Sequence, residues 1–238
     1  MMRLLFLSLT LLLTSACSTI TPATMRLPGD LALNSERLTY AGIGGGTRGR
    51  FQVGAFRGSF ERSEQRLAIF DALVRNYGRA DFVIEGPAIG STIEAQCRMR
   101  ERLIDLGIAE FKASRMAYRC EFTAAGHAFP ARFEVQEVSR GLGGTLSKKE
   151  RRGEIALGGE TVQIRSVHKL DGSPIEMASP IGYVFTQNGD PVGAVELNGA
   201  PELFIAHGID HGLARTVTIA ATALAIFWDP ANSALGDD

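Results

Sequence analysis

The chain has 238 residues, of which 45% are hydrophobic and 21% charged, and its formal net charge is −1. These values suit one globular domain with a substantial core and exclude both a disordered chain and a multi-spanning membrane protein. With no strong overall field, nucleic acid is not an expected partner.

At the N-terminus, Met1-Met2-Arg3 precede the apolar run Leu4–Leu13. A basic start followed by a run too short for a permanent span reads as a secretory signal. It closes on Thr14-Ser15-Ala16-Cys17. The segment resembles the signals of bacterial lipoproteins, with Thr14 in place of the leucine that family prefers three residues before the cysteine. The resemblance implies that residues 1–16 are removed as a signal peptide. It further implies that Cys17 is the lipid-attachment site, thioether-linked to diacylglycerol and acylated, palmitate-fashion, on its new amino group. Several acyl chains on one residue give stable anchoring where one would be marginal. Ser18 after the cysteine resembles lipoproteins sorted to the outer membrane, with the body facing the periplasm. Residues 17–30 include Pro22 and Pro28 and read as a polar tether, residues 31–230 as a single domain and 231–238 as a polar tail.

Arg37–Ile43 and Arg50–Phe60 are strand-like and flank the glycine cluster Gly44-Gly45-Gly46-Thr47-Arg48-Gly49. A phosphate cradle needs a helix N-terminus directly after the glycines, and here a strand follows, so the cluster reads as a connection. Ser63–Tyr77 predicts an amphipathic helix outside the sheet. Leu67, Phe70, Leu73, Val74 and Tyr77 share one face, Ser63 suits the N-cap and Gly78 the position past the end. Asp81–Glu85 predicts a short strand that stops at Gly86-Pro87.

The most regular alternation comes next. Ile93, Ala95, Cys97 and Met99 oppose Glu94, Gln96, Arg98 and Arg100, and Met116, Tyr118, Cys120 and Phe122 oppose Arg115, Arg119 and Glu121. Phe129, Ala131, Phe133 and Val135 repeat the pattern. Three strands with one oily and one wet face predict an antiparallel sheet with solvent on one side. Cys97 and Cys120 both fall on the oily face. With Cys17 assigned to lipid, an even pair remains in an oxidising compartment, which predicts a Cys97–Cys120 disulfide. After the break at Gly141–Gly144, the basic cluster Ser147–Arg152 reads as a solvated turn or as a contact for lipid headgroups. Gly153–Leu157, Thr161–Lys169, Ile175–Ala178, Ile181–Thr186, Val192–Leu197 and Glu202–Ala206 then read as strands. Gly158-Gly159, Asp171-Gly172, Asn188-Gly189 and Asn198-Gly199 punctuate them as turns.

Leu213–Trp228 is apolar on every side apart from Arg215 and three threonines. As a helix it would cover only about 24 Å, short of the roughly 30 Å of a bilayer core, so it is expected inside protein. The sum is a mainly β (α+β) fold: an antiparallel barrel of about twelve strands around a hydrophobic C-terminal helix, with one amphipathic helix outside. The alternative is a two-sheet β-sandwich with the last helix across one opening. In architecture and element order the first arrangement is similar to the tubby-like and LURP-one-related fold. No ligand-binding residue is carried over from that likeness, because fold alone does not supply function.

Two readings of function follow. The first is a lipid-anchored, non-enzymatic binding or structural protein of the cell envelope, with a lipid or envelope-protein partner and no cofactor. The alternative is a metal-dependent or hydrolytic periplasmic enzyme. His207 and His211 stand four apart with Asp210 beside them, a spacing able to hold a divalent metal such as zinc on one helix face, with His168 as a further base. Against it, Gly208 and Gly212 weaken a helix there, and Asp210 equally suits a helix N-cap. His168 keeps phase with Val162 and Ile164 and reads as a core histidine with hydrogen-bond partners. No nucleophile elbow or paired-carboxylate set is visible.

Overall fold

Alternating in-and-out burial dominates a chain whose computed structural model describes residues 23–69, 73–105, 110–138 and 148–229. A short helix α1 (Gly29–Leu33) leads into β1 (Ser35–Thr39), β2 (Arg48–Val53), β3 (Phe56–Ile69), β4 (Leu73–Glu85), β5 (Ile93–Asp105) and β6 (Glu110–Ala124). The two-residue β7 (His127–Ala128), β8 (Arg132–Glu137), β9 (Arg151–Leu157), β10 (Glu160–Val167), β11 (Gly182–Gln187), β12 (Asp190–Glu196) and β13 (Glu202–Ala206) follow, and α2 (His211–Ile226) ends the fold. All described strand pairings are antiparallel and form one continuous path, β1-β13-β12-β11-β10-β9-β8-β6-β5-β4-β3-β2, with β7 beside β6. Just beyond β1, Ala41 exchanges both backbone hydrogen bonds with Gln52 of β2, at 2.8 and 3.0 Å, so twelve strands close almost fully into a barrel. One continuous sheet is the predicted barrel and excludes the sandwich.

Inside the barrel lies α2. Leu213 and every residue from Thr216 to Ile226 are buried, and the helix packs on β4, β9, β10, β12 and β13. A helix without a wet face must still place its hydroxyls. Thr216, Thr218 and Thr222 each donate to the carbonyl four residues back, at 2.9, 2.8 and 2.8 Å. Wall tyrosines complete the fit: Tyr40 Oη lies 3.0 Å from Thr222 Oγ1, and Tyr118 Oη donates to the Ala223 carbonyl at 2.9 Å. Close approach also needs a missing side chain at Gly193 of β12, where a Cβ would fall 2.7 Å from Val217 Cγ1. Asp210 is the N-cap, accepting from the amides of Gly212 and Leu213 at 2.7 and 3.0 Å.

The Cys97–Cys120 disulfide forms between residues directly opposite each other on β5 and β6. The helix expected over Ser63–Tyr77 is instead the outer part of a long hairpin, β3 with β4, in register from Arg57↔Glu85 to Ile69↔Leu73. Leu67, Leu73 and Tyr77 fall on the outward face of this hairpin and Val74 on its inward face, so the spacing that suggests one helix face is split between two faces of a two-stranded ribbon, and cross-strand pairing overrides the helix propensity of the local residues. Ile175–Ala178 makes only an isolated bridge, Lys169 with Glu176. The expected tether is fixed to the body well before Asp30. Met25 is buried and bridges Leu170, its amide donates to Glu196 Oε1 at 2.7 Å, and Leu31 is buried on the barrel wall. Cys17, Gly141–Gly144 and the tail at 231–238 lie outside the described residues.

Candidate functional site

The helix fills the barrel, so the open space of interest is at the end where α2 leaves it. There a cavity of about 350 Å³ opens between the loop at Gly44-Gly45, the β12–β13 connection at Leu197–Pro201 and the residues after α2. The last helical carbonyls and the negative end of the helix dipole point into this mouth. Two buried arginines meet them.

Arg62 comes from β3, where it shares the inner face with Phe60. It donates from Nη1 to the Ile226 carbonyl at 3.4 Å, from Nε to the Gly46 carbonyl at 3.0 Å and from Nη2 to the Gly44 carbonyl. Its guanidinium lies 4.9 Å from the Trp228 ring centroid and 5.2 Å from that of Phe60. Burial lowers its pKa. Arg62 thus ties the glycine connection to the C-terminus of the enclosed helix.

Arg151 opens β9 and is 2% exposed. Its two terminal nitrogens donate to the two carboxylate oxygens of Asp229 at 2.7 and 2.8 Å, and Nη1 also donates to Tyr183 Oη at 3.1 Å. Burial opposes the charge, but Tyr183 and Asp229 together outweigh it and hold the guanidinium above its ordinary range. Burial likewise raises the Tyr183 pKa. Phe227, between these groups, stacks on Tyr118 with ring centroids 4.3 Å apart.

Next to Arg151 is a second buried chain of hydrogen bonds. The Arg151 amide donates to Ser166 Oγ at 2.8 Å, Ser166 Oγ lies 3.0 Å from His168 Nε2, and His168 Nδ1 lies 2.9 Å from the Met177 carbonyl. A carbonyl only accepts, so Nδ1 carries the proton and Nε2 accepts from the serine. Burial is the main cause of the lowered His168 pKa, which keeps the ring neutral. The serine–histidine pair has the contact distance of a nucleophile and its base. Here the third partner is a carbonyl, both side chains are buried, and neither lines the mouth cavity. His168 is therefore the hydrogen-bonded core histidine that its strand phase implies.

The proposed metal ligands lie elsewhere. His207 follows β13 and is exposed, His211 opens α2, and Asp210 uses Oδ1 as the helix cap, which holds its carboxyl below the usual range. These three sit at the helix N-terminal end, whereas His168 is beside Arg151 at the mouth, so the barrel's length separates the histidines that a composite hydrolytic site would combine. Among the described residues no group of three His, Cys, Asp or Glu side chains is gathered as a metal site. Three of the four basic side chains in the described part of the cluster Ser147–Arg152 are already engaged. Lys148 pairs with Glu176, Arg152 with Glu150 at 3.0 Å, and Arg151 points inward.

Sequence reasoning missed Arg62, Arg151 and the buried Glu196, whose pKa is raised by burial. A signal was available: Arg151 is in phase with Ile155 and Leu157, and Arg62 with Phe60, so each charge occupies a position the alternation assigns to the core. Comparison of the chain with known protein families, characterised proteins and solved structures finds no match.

Proposed function

We propose that this chain is a lipid-anchored protein of the bacterial cell envelope, held at the outer membrane through Cys17 and facing the periplasm, whose barrel is a non-enzymatic binding or structural module. The supporting observation is that the strongest polar groups of the mouth are engaged with one another. Arg151 is matched by Asp229 and Tyr183, and Arg62 by three backbone carbonyls. Groups so paired fasten a helix; they do not present an activated nucleophile with its base and oxyanion donors. The partner in this reading is a lipid or another envelope protein, and no cofactor takes part.

The test is expression of the full chain in a diderm bacterium, with mass spectrometry of its N-terminus. The reading expects a chain beginning at a triacylated Cys17 in the outer-membrane fraction, and a Cys17→Ser chain without that lipid. An unmodified N-terminus, or cleavage at another position, rejects the anchor. Stoichiometric zinc that His207→Ala removes would reject the non-enzymatic reading.

A further inference from the structure

Two long hairpins, β3–β4 and β5–β6, extend past their neighbours on the side of the mouth. β2 pairs with β3 only as far as Glu61, and β8 with β6 only back to Ala117, while β3 continues to Ile69 and β6 begins at Glu110. At about 3.3 Å per residue this projection is roughly 25 Å.

Its outward face is rich in arginine. Arg79, Arg98 and Arg119 stand side by side across β4, β5 and β6, and farther out Arg75 stands opposite Arg102 and Tyr77 opposite Arg100. Like charges directly opposite on neighbouring strands repel. Nearest the barrel the repulsion is relieved. Asp81 binds Arg98 at 2.5 Å and also pairs with Arg79, and Glu134 binds Arg119 at 2.7 Å. Farther out there is no such relief. Arg100, Arg102 and Arg115 have no ion pair among the described residues, and the buried Nε of Arg75 has no hydrogen-bond partner. Leu67, 49% exposed, stands level with these arginines, directly opposite Arg75, and one step farther out Leu73 stands opposite Ile104, which is 37% exposed. From Arg102 to Ile104 is about 7 Å along a strand, within the roughly 5–10 Å by which interfacial elements enter the headgroup and acyl boundary.

The N-terminal segment departs from the same end. Thr24 accepts from the Asp171 amide, and Ala23 from the Asn198 side chain, both in connections at the mouth. Between Cys17 and Ala23 the chain spans at most about 20 Å. A lipid on Cys17 would therefore keep the mouth end, and the hairpins with it, against the bilayer.

From these observations we infer that the projecting β3–β6 hairpins dock on the membrane, with Arg75, Arg100, Arg102 and Arg115 on anionic phospholipid headgroups and Leu73 and Ile104 in the interface. The occupant is lipid, because a charge collar below an apolar edge fits a headgroup layer over hydrocarbon, and because the anchor would present that surface to it. The inference takes its orientation from the proposed anchor on Cys17.

The experiment uses the full chain with Ile104→Cys labelled by an environment-sensitive fluorophore, in phosphatidylcholine vesicles with or without phosphatidylglycerol and with brominated acyl chains as quencher. Cys97 and Cys120 are buried in their disulfide and take no label. Quenching is expected in the anionic vesicles. It should be lost in Arg100→Gln/Arg102→Gln/Arg115→Gln and kept when the same three positions are lysine. Flotation with the vesicles reads the anchor separately. If the chain proves unanchored, its partition into anionic over zwitterionic vesicles should still fall on the order of 100-fold in the glutamine variant. Absence of quenching in the anchored protein, equal partition of the two variants, or shielding of the label by an envelope protein without lipid contact would overturn the inference.

Discussion

The guanidinium of Arg151, at the start of β9, and the carboxylate of Asp229, just past the enclosed helix, meet through two parallel hydrogen bonds of 2.7 and 2.8 Å. Residues 78 apart in sequence thereby lock the end of α2 to the barrel wall. Removing one partner leaves a buried charge without its counter-ion. Arg151→Ala or Asp229→Ala should therefore cost about 3 kcal/mol in urea unfolding. Replacing both with apolar residues of similar volume, as in Arg151→Met/Asp229→Leu, should recover most of the loss. Equal destabilisation by the single and double variants would refute this role.

The disulfide is predicted to stabilise chiefly by restricting the unfolded chain. Its sequence separation of 23 gives about 3 kcal/mol in the chain-entropy model. Cys97→Ser/Cys120→Ser should fold to the same barrel with a correspondingly lower urea midpoint. Native protein should resist reduction until it unfolds, because both sulfurs are buried. Rapid reduction of the folded protein by dithiothreitol would contradict this.

Much of this architecture is legible in the chain. Oily residues alternate cleanly in β5, β6 and β8, and the uniform apolarity of Leu213–Trp228 already requires an enclosure. The helix expected at Ser63–Tyr77 fails for a physical reason. Leu67, Leu73 and Tyr77 lie on the outward face of two paired strands and Val74 on the inward face, so what looks like one helix stripe is shared between two sides of a hairpin. The mouth is less legible than the wall. Lys148-Lys149-Glu150-Arg151-Arg152 looks like a solvated run because the acid that draws Arg151 inward is far along the chain. Burial of a charge depends on such a distant partner, which local periodicity does not encode.

Gly193 tests how closely α2 lies on β12. A methyl group there must displace Val217 or the strand, since the Phe204 carbonyl is also only 2.8 Å from the added Cβ position. Gly193→Ala should cost about 1–3 kcal/mol, as overpacking does. Val217→Ala in the same chain should return part of that stability. A neutral Gly193→Ala would show that the helix is not seated against this strand.

His168 gives stability a pH dependence of definite sign. Burial depresses its folded pKa below the unfolded value of about 6.5. The unfolded chain therefore binds the proton first, and the contribution present above that value is lost as pH falls through the folded pKa. Glu196 acts in the opposite sense, because its folded pKa is raised, so the useful quantity is a difference between proteins. Stability of the native chain minus that of His168→Asn, from urea titrations, should decline as pH drops from neutral toward 5. A pH-independent difference would refute the neutral buried ring.

Amide hydrogen exchange along α2, measured on the native protein with and without vesicles, tests the enclosed helix most directly. Amides from Val217 to Ile226 should exchange only through global unfolding, with the same free energy that urea denaturation gives and with no change when lipid is added. Exchange as fast as that of the exposed residues around Ile175, or protection that appears only when vesicles are present, would place this helix outside the barrel and contradict the fold and the function proposed from it.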